Sequence, residues 1–355
     1  MNIPLYNVAV SDRPYREEID GAIKDCIDNN DFILGKSVEG FEEKFAEYIG
    51  VKYCIGVSNC TNALFLTLKS LGIKIGDKVL CPVMTVTADV EAILMCGATP
   101  LFYDDKALIE ADRKVKAIII VHLYGNDRLY DNVHRYATAR KWHIIEDCAQ
   151  SAGTISKARH LGTRGVAGCF SFNPTKILGG YGDGGAVVTN NERLYSEIKT
   201  LRNHGRLPGQ KTVHHYVGYN YRLDGLQAAI LNVKLKHLDM YIGSRRVLAF
   251  RYNELLKDFP LETPVINPGT IFCVYVIKTE NRDELKEYLK DCGIGTGEHY
   301  PIPLHRQPPY KKFVSRRFMD ADNDARRILS LPFYPGITNE QVDYIVDKIR
   351  EFYGG

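Results

Sequence analysis

"SFNPTKILGGYGDGGAVVTNN", residues 171–191, sets one lysine, Lys176, on a short polar loop and follows it with five glycines in seven residues. Gly180, Gly182 and Gly185 satisfy G-x-G-x-x-G, the spacing of a dinucleotide-binding turn. Such a turn leaves a strand and opens a helix whose N-terminus faces a pyrophosphate. Here the glycines run instead into "AVVT", residues 186–189, which reads as a strand. The dinucleotide reading is therefore rejected. The chain also lacks G-x-x-x-x-G-K-[ST], so a P-loop is rejected too.

Upstream of that loop, helical patterns alternate with short apolar runs: "KVLCP" at 78–82, "KAIIIVHLYG" at 116–125, "HIIEDCAQ" at 143–150 and "GCFSF" at 168–172. Runs of this length between helices predict strands buried on both faces, hence an α/β fold with a mostly parallel central sheet flanked by helices. Ligands in such sheets gather at the carboxyl ends of the strands. Near the start, Asp12 and Pro14 read as a helix cap and first turn, with Ile19, Ala22, Ile23, Cys26 and Ile27 on one face. A second helix carries Val38, Phe41, Phe45 and Tyr48, with Gly50 as its stop.

Beyond residue 222 the pattern becomes one or two long helices, and then Pro and Gly thicken in "FPLETPVINPGT" at 259–270. A strand at 271–279, a helix with Leu285, Leu289 and Cys292, and a last helix with Val342, Ile345, Val346, Ile349 and Phe352 follow. These predict a large domain over residues 1–240 and a smaller α+β domain over 241–355.

At 355 residues, with 45 % hydrophobic and 25 % charged, the chain has globular averages, which excludes a disordered or fibrous protein. Its net charge of +3 is spread along the sequence, so no nucleic-acid partner is expected. Nine cysteines without any C-x-x-C pair predict reduced core thiols and no metal site, which fits a cytoplasmic location. The first residues show no signal peptide, and no run is long and apolar enough to predict a membrane span.

Most lysines on polar loops are merely solvated, but three other stretches give Lys176 company. Asp147 of "IIEDCAQ" ends a buried run, where a carboxylate is costly without a cationic partner such as a protonated pyridine nitrogen. A helix cap fits this aspartate as well. "GVSNCTNALFLTLKSLG" at 56–72 runs from a strand into a helix, with Ser58, Asn59 and Thr61 at the start, a place suited equally to a phosphate or to plain N-capping. Ser171 closes another strand five residues before the lysine. An amine, a carboxylate, and hydroxyls beside a helix end are what pyridoxal 5'-phosphate requires.

Taken in order, "FILGKSVEGFEEKFAEYIG", "SNCTNAL", "CGATPLF", "VHLYG", "IIEDCAQSAGT", "SFNPTKILGGYGDGGAVVTNN", "LRNHG", "GYNYRLDGLQAAIL", "HYPIPLH" and "LPFYPGIT" cover nearly the whole chain. The sequence resembles the DegT/DnrJ/StrS sugar aminotransferases, fold-type I enzymes that use pyridoxal phosphate. The resemblance makes Lys176 the Schiff-base lysine and Asp147 the partner of the pyridine nitrogen. It sets Gln150 by the cofactor's 3′ oxygen and Ser171 and Thr61 on the phosphate. It also implies a homodimer whose active sites are shared, with Asn220 and Arg222 reaching the phosphate from the partner chain. The implied reaction carries an amino group from L-glutamate to a keto sugar on a nucleoside diphosphate, a dTDP-sugar among the options. The motifs favour amination at C3 over C4. Phe32, His299, Tyr300 and His305 are expected near the sugar or its diphosphate, although a proline-rich packing loop accounts for the last three equally well.

Some positions depart from the family pattern. Cys60 stands where a glycine is usual, and Val86 stands where an aromatic ring often covers the cofactor. The segments Tyr103 to Lys116 and Pro260 to Phe272 look short, which bears on the shape of the substrate cleft. Family members that act as dehydratases replace the lysine with histidine, so Lys176 argues against that activity. A regulator that keeps the fold and the cofactor without turnover is a further reading.

Overall fold

In the computed structural model, residues 1–104, 114–127 and 130–354 are described. Most of the short segment from Tyr103 to Lys116 lies outside them. Among the described residues, nine strands precede residue 190: β1 Tyr53–Val57, β2 Lys78–Pro82, β3 Thr99–Tyr103, β4 Val115–Val121, β5 His143–Asp147, a small hairpin of β6 Ile155–Ser156 and β7 Arg159–His160, β8 Ala167–Ser171 and β9 Gly185–Thr189. Seven form the central sheet in the order β1-β9-β8-β5-β4-β2-β3. Only β9 runs antiparallel, to both β1 and β8.

That reversal has a local cause. A parallel neighbour needs a long crossover, but the glycine loop returns directly: Phe172 N–H donates to Gly184 O and Gly180 N–H to Phe172 O, both at 2.8 Å. The loop carrying Lys176 is thus a hairpin at the end of β8.

Alternate residues of the strands face opposite sides. Cys169, Val187, Ile145 and Ile119 pack under the helix Cys60–Ser70. Phe170, Ala186 and Val188 pack against the helix Lys36–Ile49, which ends at Gly50 with φ 80°. Phe41 meets Phe172 edge-on at 5.1 Å between ring centroids, and Phe45 meets Phe170 at 5.1 Å. Such pairs add to the burial of the rings themselves, and here they brace the strand that leads into the lysine loop.

A second core holds Tyr252, Leu285, Leu289, Leu329, Val342, Ile345 and Ile349. Its strands, β10 Tyr275–Lys278 and β11 Ile328–Leu331, pair antiparallel under the helices Arg282–Asp291 and Asn339–Phe352. The two cores part inside the helix Leu238–Leu256: Leu238 and Ile242 join the large core, while Leu248, Ala249, Tyr252 and Leu256 join the small one. Ile3 also packs in the small core, whereas Leu304 and Phe318 pack in the large one.

Glu146, fully buried in β5, anchors the turn that follows the hairpin. Its carboxylate accepts from the N–H groups of Gly162 (2.8 Å), Arg164 (2.7 Å) and Gly165 (2.6 Å) and from His122 Nε2 (3.0 Å). Cys148 lies close to this pair, in a grouping that could in principle ligate a metal, but these donors already saturate the carboxylate. Burial works to raise the Glu146 pKa, yet the His122 hydrogen bond and charge and the Gly162 and Gly165 amides outweigh it and hold the pKa below the usual value. A depressed carboxyl pKa stabilises the fold above the unfolded value of about 4.3, and that contribution is lost as pH falls through the folded value. Glu146→Gln is therefore expected to cost about 3 kcal/mol in urea unfolding at pH 7, with the gap to the parent closing in acid.

Candidate active site

The carboxyl ends of β1, β5 and β8 converge. Asp147, the last residue of β5, pairs in register with Val121 of β4 and Cys169 of β8. Ser171 ends β8 opposite Gly185, which in turn lies opposite Val57 at the end of β1. This register places Ser171 beside the start of the helix Cys60–Ser70.

That helix is capped by Asn59, whose side-chain oxygen accepts from Asn62 N–H at 2.9 Å, while Asn62 Nδ2 donates to Ser58 Oγ at 2.8 Å. The first N–H groups of an α-helix have no partner within it, and those of Cys60 and Thr61 belong to this set. Together with the hydroxyls of Ser171 and Thr61, they could seat an anion. Gly185 makes the seat possible, because a Cβ there would lie 2.5 Å from Asn59 C and 2.8 Å from Cys60 N. Backbone cannot yield as a flexible side chain does, so Gly185→Ala is expected to shift the helix start and weaken cofactor retention about tenfold, read by dialysis of the holoprotein.

Lys176 is half-buried, with its N–H donating to Asn173 O at 2.9 Å. Two groups steady its loop from afar. Gln227 Oε1 accepts from Tyr181 N–H at 2.8 Å, and Lys234 Nζ, paired with Asp12 at 3.0 Å, sits 5.6 Å from the Tyr181 ring centre. Lys176 shares a cavity with Gln150, His299 and Tyr300. Gln150 bridges the wall: its Oε1 accepts from Tyr124 N–H at 2.7 Å and its Nε2 donates to Tyr300 Oη at 3.1 Å. His299 Nδ1 contacts Ser330 Oγ at 2.8 Å, and its carbonyl accepts from the Tyr124 hydroxyl. Burial, reinforced by Lys176, keeps the His299 imidazole below its ordinary pKa. Burial, reinforced by Asp147, raises the Tyr300 phenol.

Asp147 is 2 % exposed and accepts from Ala149 N–H at 2.8 Å and from Cys60 Sγ at 3.8 Å. The Cys60 thiol is pushed well up by burial and by the Asp147 charge, and drawn down by Lys176. Cys60 opens the helix Cys60–Ser70, so its thiol ties the end of β5 to the start of that helix. Val86, on the loop after β2, is 37 % exposed.

Asn220 and Arg222, expected to serve the partner chain, and Phe32 and His305 do not line the cavity that holds Lys176. Asn220 and Arg222 line a separate opening with Ser58, Asn59, Gly182 and Asp183 of their own chain, where Ser58 N–H donates to Tyr221 O at 3.1 Å. Phe32, 40 % exposed, lies at the same edge, its carbonyl accepting from Gly225 N–H at 2.7 Å. His305 is buried, paired with Asp322 at 3.0 Å and packed on Phe318. It is thus taken up in packing, away from the residues that line the cavity with Lys176. Asp89, Tyr124 and Gln227 belong to the surroundings of the site although they were not singled out in the sequence; Tyr124 and Gln227 lie within "VHLYG" and "GYNYRLDGLQAAIL". For Asp89 there was one signal, a Thr85–Asp89 polar pair just past the carboxyl end of a strand.

A buried carboxylate, a loop lysine and an anion seat at the carboxyl ends of a mostly parallel sheet define the fold-type I class of pyridoxal-phosphate enzymes. Residues 14–350 match the DegT/DnrJ/EryC1/StrS aminotransferase family, and the chain belongs to it. It is 37 % identical to a pleiotropic regulatory protein of Geobacillus stearothermophilus, with 99 % of each chain covered. It is 36 % identical to the dTDP-3-amino-3,4,6-trideoxy-alpha-D-glucose transaminase of Streptomyces venezuelae, covering 99 % of this chain and 96 % of that one. Among solved structures, DesV of S. venezuelae superimposes with a TM-score of 0.93 at 35 % identity, covering 100 % of this chain and 99 % of the other.

Proposed function

We propose that this chain is a pyridoxal-phosphate-dependent transaminase that moves an amino group from L-glutamate to the C3 keto group of a deoxy sugar carried on a nucleoside diphosphate. The observation that carries the reading is that Lys176 lines one cavity with Gln150 and Tyr300, while Asp147 ends β5 in register with β8 and accepts from the Cys60 thiol at the start of the helix Cys60–Ser70. Lys176, Asp147, Ser171, Thr61 and Gln150 would hold the cofactor, with Val86 against its ring. When bound, the cofactor supplies the electron sink that makes a Cα proton of the amino donor removable. Asp147 holds a proton on the ring nitrogen, and Lys176 Nζ takes up the proton that leaves the donor's Cα. Phe32, His299 and Tyr300 would bound the space left for the sugar.

C3 is favoured because the S. venezuelae relative is named for a 3-amino product. A 3-keto nucleotide sugar is expected to react much faster than its 4-keto isomer, and the reverse preference would overturn this choice. We also propose a homodimer in which Asn220 and Arg222 complete the partner's phosphate site. Exposed Tyr216 and Val217, 62 % and 89 % accessible, support a covered face there. The work is placed in the cytoplasm, which suits nine free thiols.

A regulator without turnover is the second reading, favoured by the name of the G. stearothermophilus relative. One titration separates the two. A visible cofactor band that bleaches with L-glutamate supports the transaminase, and a band unmoved by any amino donor supports the regulator.

A further inference from the structure

Arg245 lies in the helix Leu238–Leu256 between Ile242, which belongs to the large core, and Leu248, which belongs to the small one. It is only 4 % exposed. Its Nε donates to Phe272 O at 2.8 Å and its Nη2 to Cys273 O at 2.6 Å. A guanidinium has five N–H donors and keeps its charge, so both Nη1 donors and one of Nη2 are left over. Arg245 forms no ion pair with a carboxylate among the described residues. The ring centres of Phe333 and Tyr241 stand 4.7 and 5.7 Å from its Cζ, contacts that favour a cation without neutralising it.

This arginine lines the same cavity as Lys176, and no Asp or Glu is among the described residues of that lining. A buried guanidinium without an anion is costly, and a ligand that brings the anion relieves the cost. The cofactor phosphate is not that anion, because neither Ser171 nor Thr61 lines this cavity. Lys176 is engaged with the cofactor in the role proposed for it, which leaves Arg245 as the cation for a second ligand. The cavity, about 80 Å³, admits a small acid. The unused Nη1 and Nη2 donors form the planar fork that a carboxylate accepts with both oxygens.

We propose that Arg245 binds a carboxylate of the amino donor, holding the donor with its amine toward Lys176. The inference rests on the transaminase reading, in which the donor is an acid such as L-glutamate. Its test does not depend on turnover.

The test is calorimetry on the holoprotein with glutarate, a diacid that lacks the amine. The parent should bind glutarate, neutral glutaramide should not compete, and Arg245→Gln should weaken glutarate by about tenfold or more. Arg245→Lys keeps the charge and should recover part of that loss. UDP and dTDP should bind the parent and Arg245→Gln alike. A parent that ignores glutarate, or an Arg245→Gln variant that binds it as well as the parent, overturns the proposal. So does a variant that weakens the nucleoside diphosphates as much as glutarate or more, which would mark a diphosphate site or a merely structural role. Arg245 also holds Phe272 and Cys273, so both variants could fail to fold. Crystals of the parent holoprotein soaked in glutarate then decide: a carboxylate hydrogen-bonded to Arg245 supports the site, and glutarate elsewhere or absent overturns it. Glutarate held by Arg245 with a cofactor band unmoved by L-glutamate would instead sink the transaminase reading and leave the carboxylate site standing.

Discussion

Lys176→Ala is expected to lower amino transfer by about 10⁴-fold while the thermal midpoint of the apoprotein moves by no more than about 2 °C. The rate falls because the variant loses both the covalent tether of the cofactor and the base that takes the donor's Cα proton, and Ser171 or Thr61 can supply neither. The fold survives because the lysine side chain packs into no core. The hairpin that carries it is set by Phe172, Gly184 and Gly180 backbone bonds and by Gln227, none of which involve the lysine side chain. An external amine of small size should restore part of the rate in Lys176→Ala. A variant with ordinary turnover would remove the lysine from the chemistry.

Asp147→Asn is expected to reduce kcat/KM by about 10²–10³-fold, the scale of losing one preorganised electrostatic contact. The asparagine oxygen can still accept from Ala149 N–H, which is 2.8 Å from Asp147 Oδ1 in the parent, so the turn after β5 should persist. What is lost is the charge that keeps the ring nitrogen protonated, and with it the electron sink. The loss should appear in the chemical step more than in cofactor retention, which depends also on the phosphate seat. A cofactor analogue methylated on the ring nitrogen carries its charge permanently and should narrow the gap between Asp147→Asn and the parent. Equal loss with either cofactor would point to a purely structural role for Asp147.

Much of the fold was legible in the sequence because buried strands and amphipathic helices leave local marks. "KVLCP" and "GAVVT" coincide with β2 and β9, and Gly50 stops the second helix in the left-handed conformation that favours glycine. Strand direction was less visible. The antiparallel run of β9 follows from how the glycine loop folds back, which a pattern of apolar residues does not encode. Ile27 shows the same limit, since it continues an apolar face yet stands 49 % exposed past the end of that face's packing. The two cores part within a helix, and a continuous helical pattern gives no break to read there.

The residues expected at the site from motifs, Lys176, Asp147, Ser171 and Thr61, lie on strand ends, a helix start and a tight turn, where chain geometry is locally fixed. The contacts that residues make across the fold were not legible. Gln227 grips the glycine loop from a helix almost fifty positions further on. For His305 the sequence left substrate contact and proline-rich packing open, and its tie to Asp322, 17 residues ahead, does not show in the sequence around it.

The most direct test of the central claim is to reduce the holoenzyme with borohydride, digest it and find the peptide that carries the pyridoxyl label. The label is expected on Lys176, in the peptide containing "NPTK". A label on another lysine, or no label on a protein that holds the cofactor, would contradict the account.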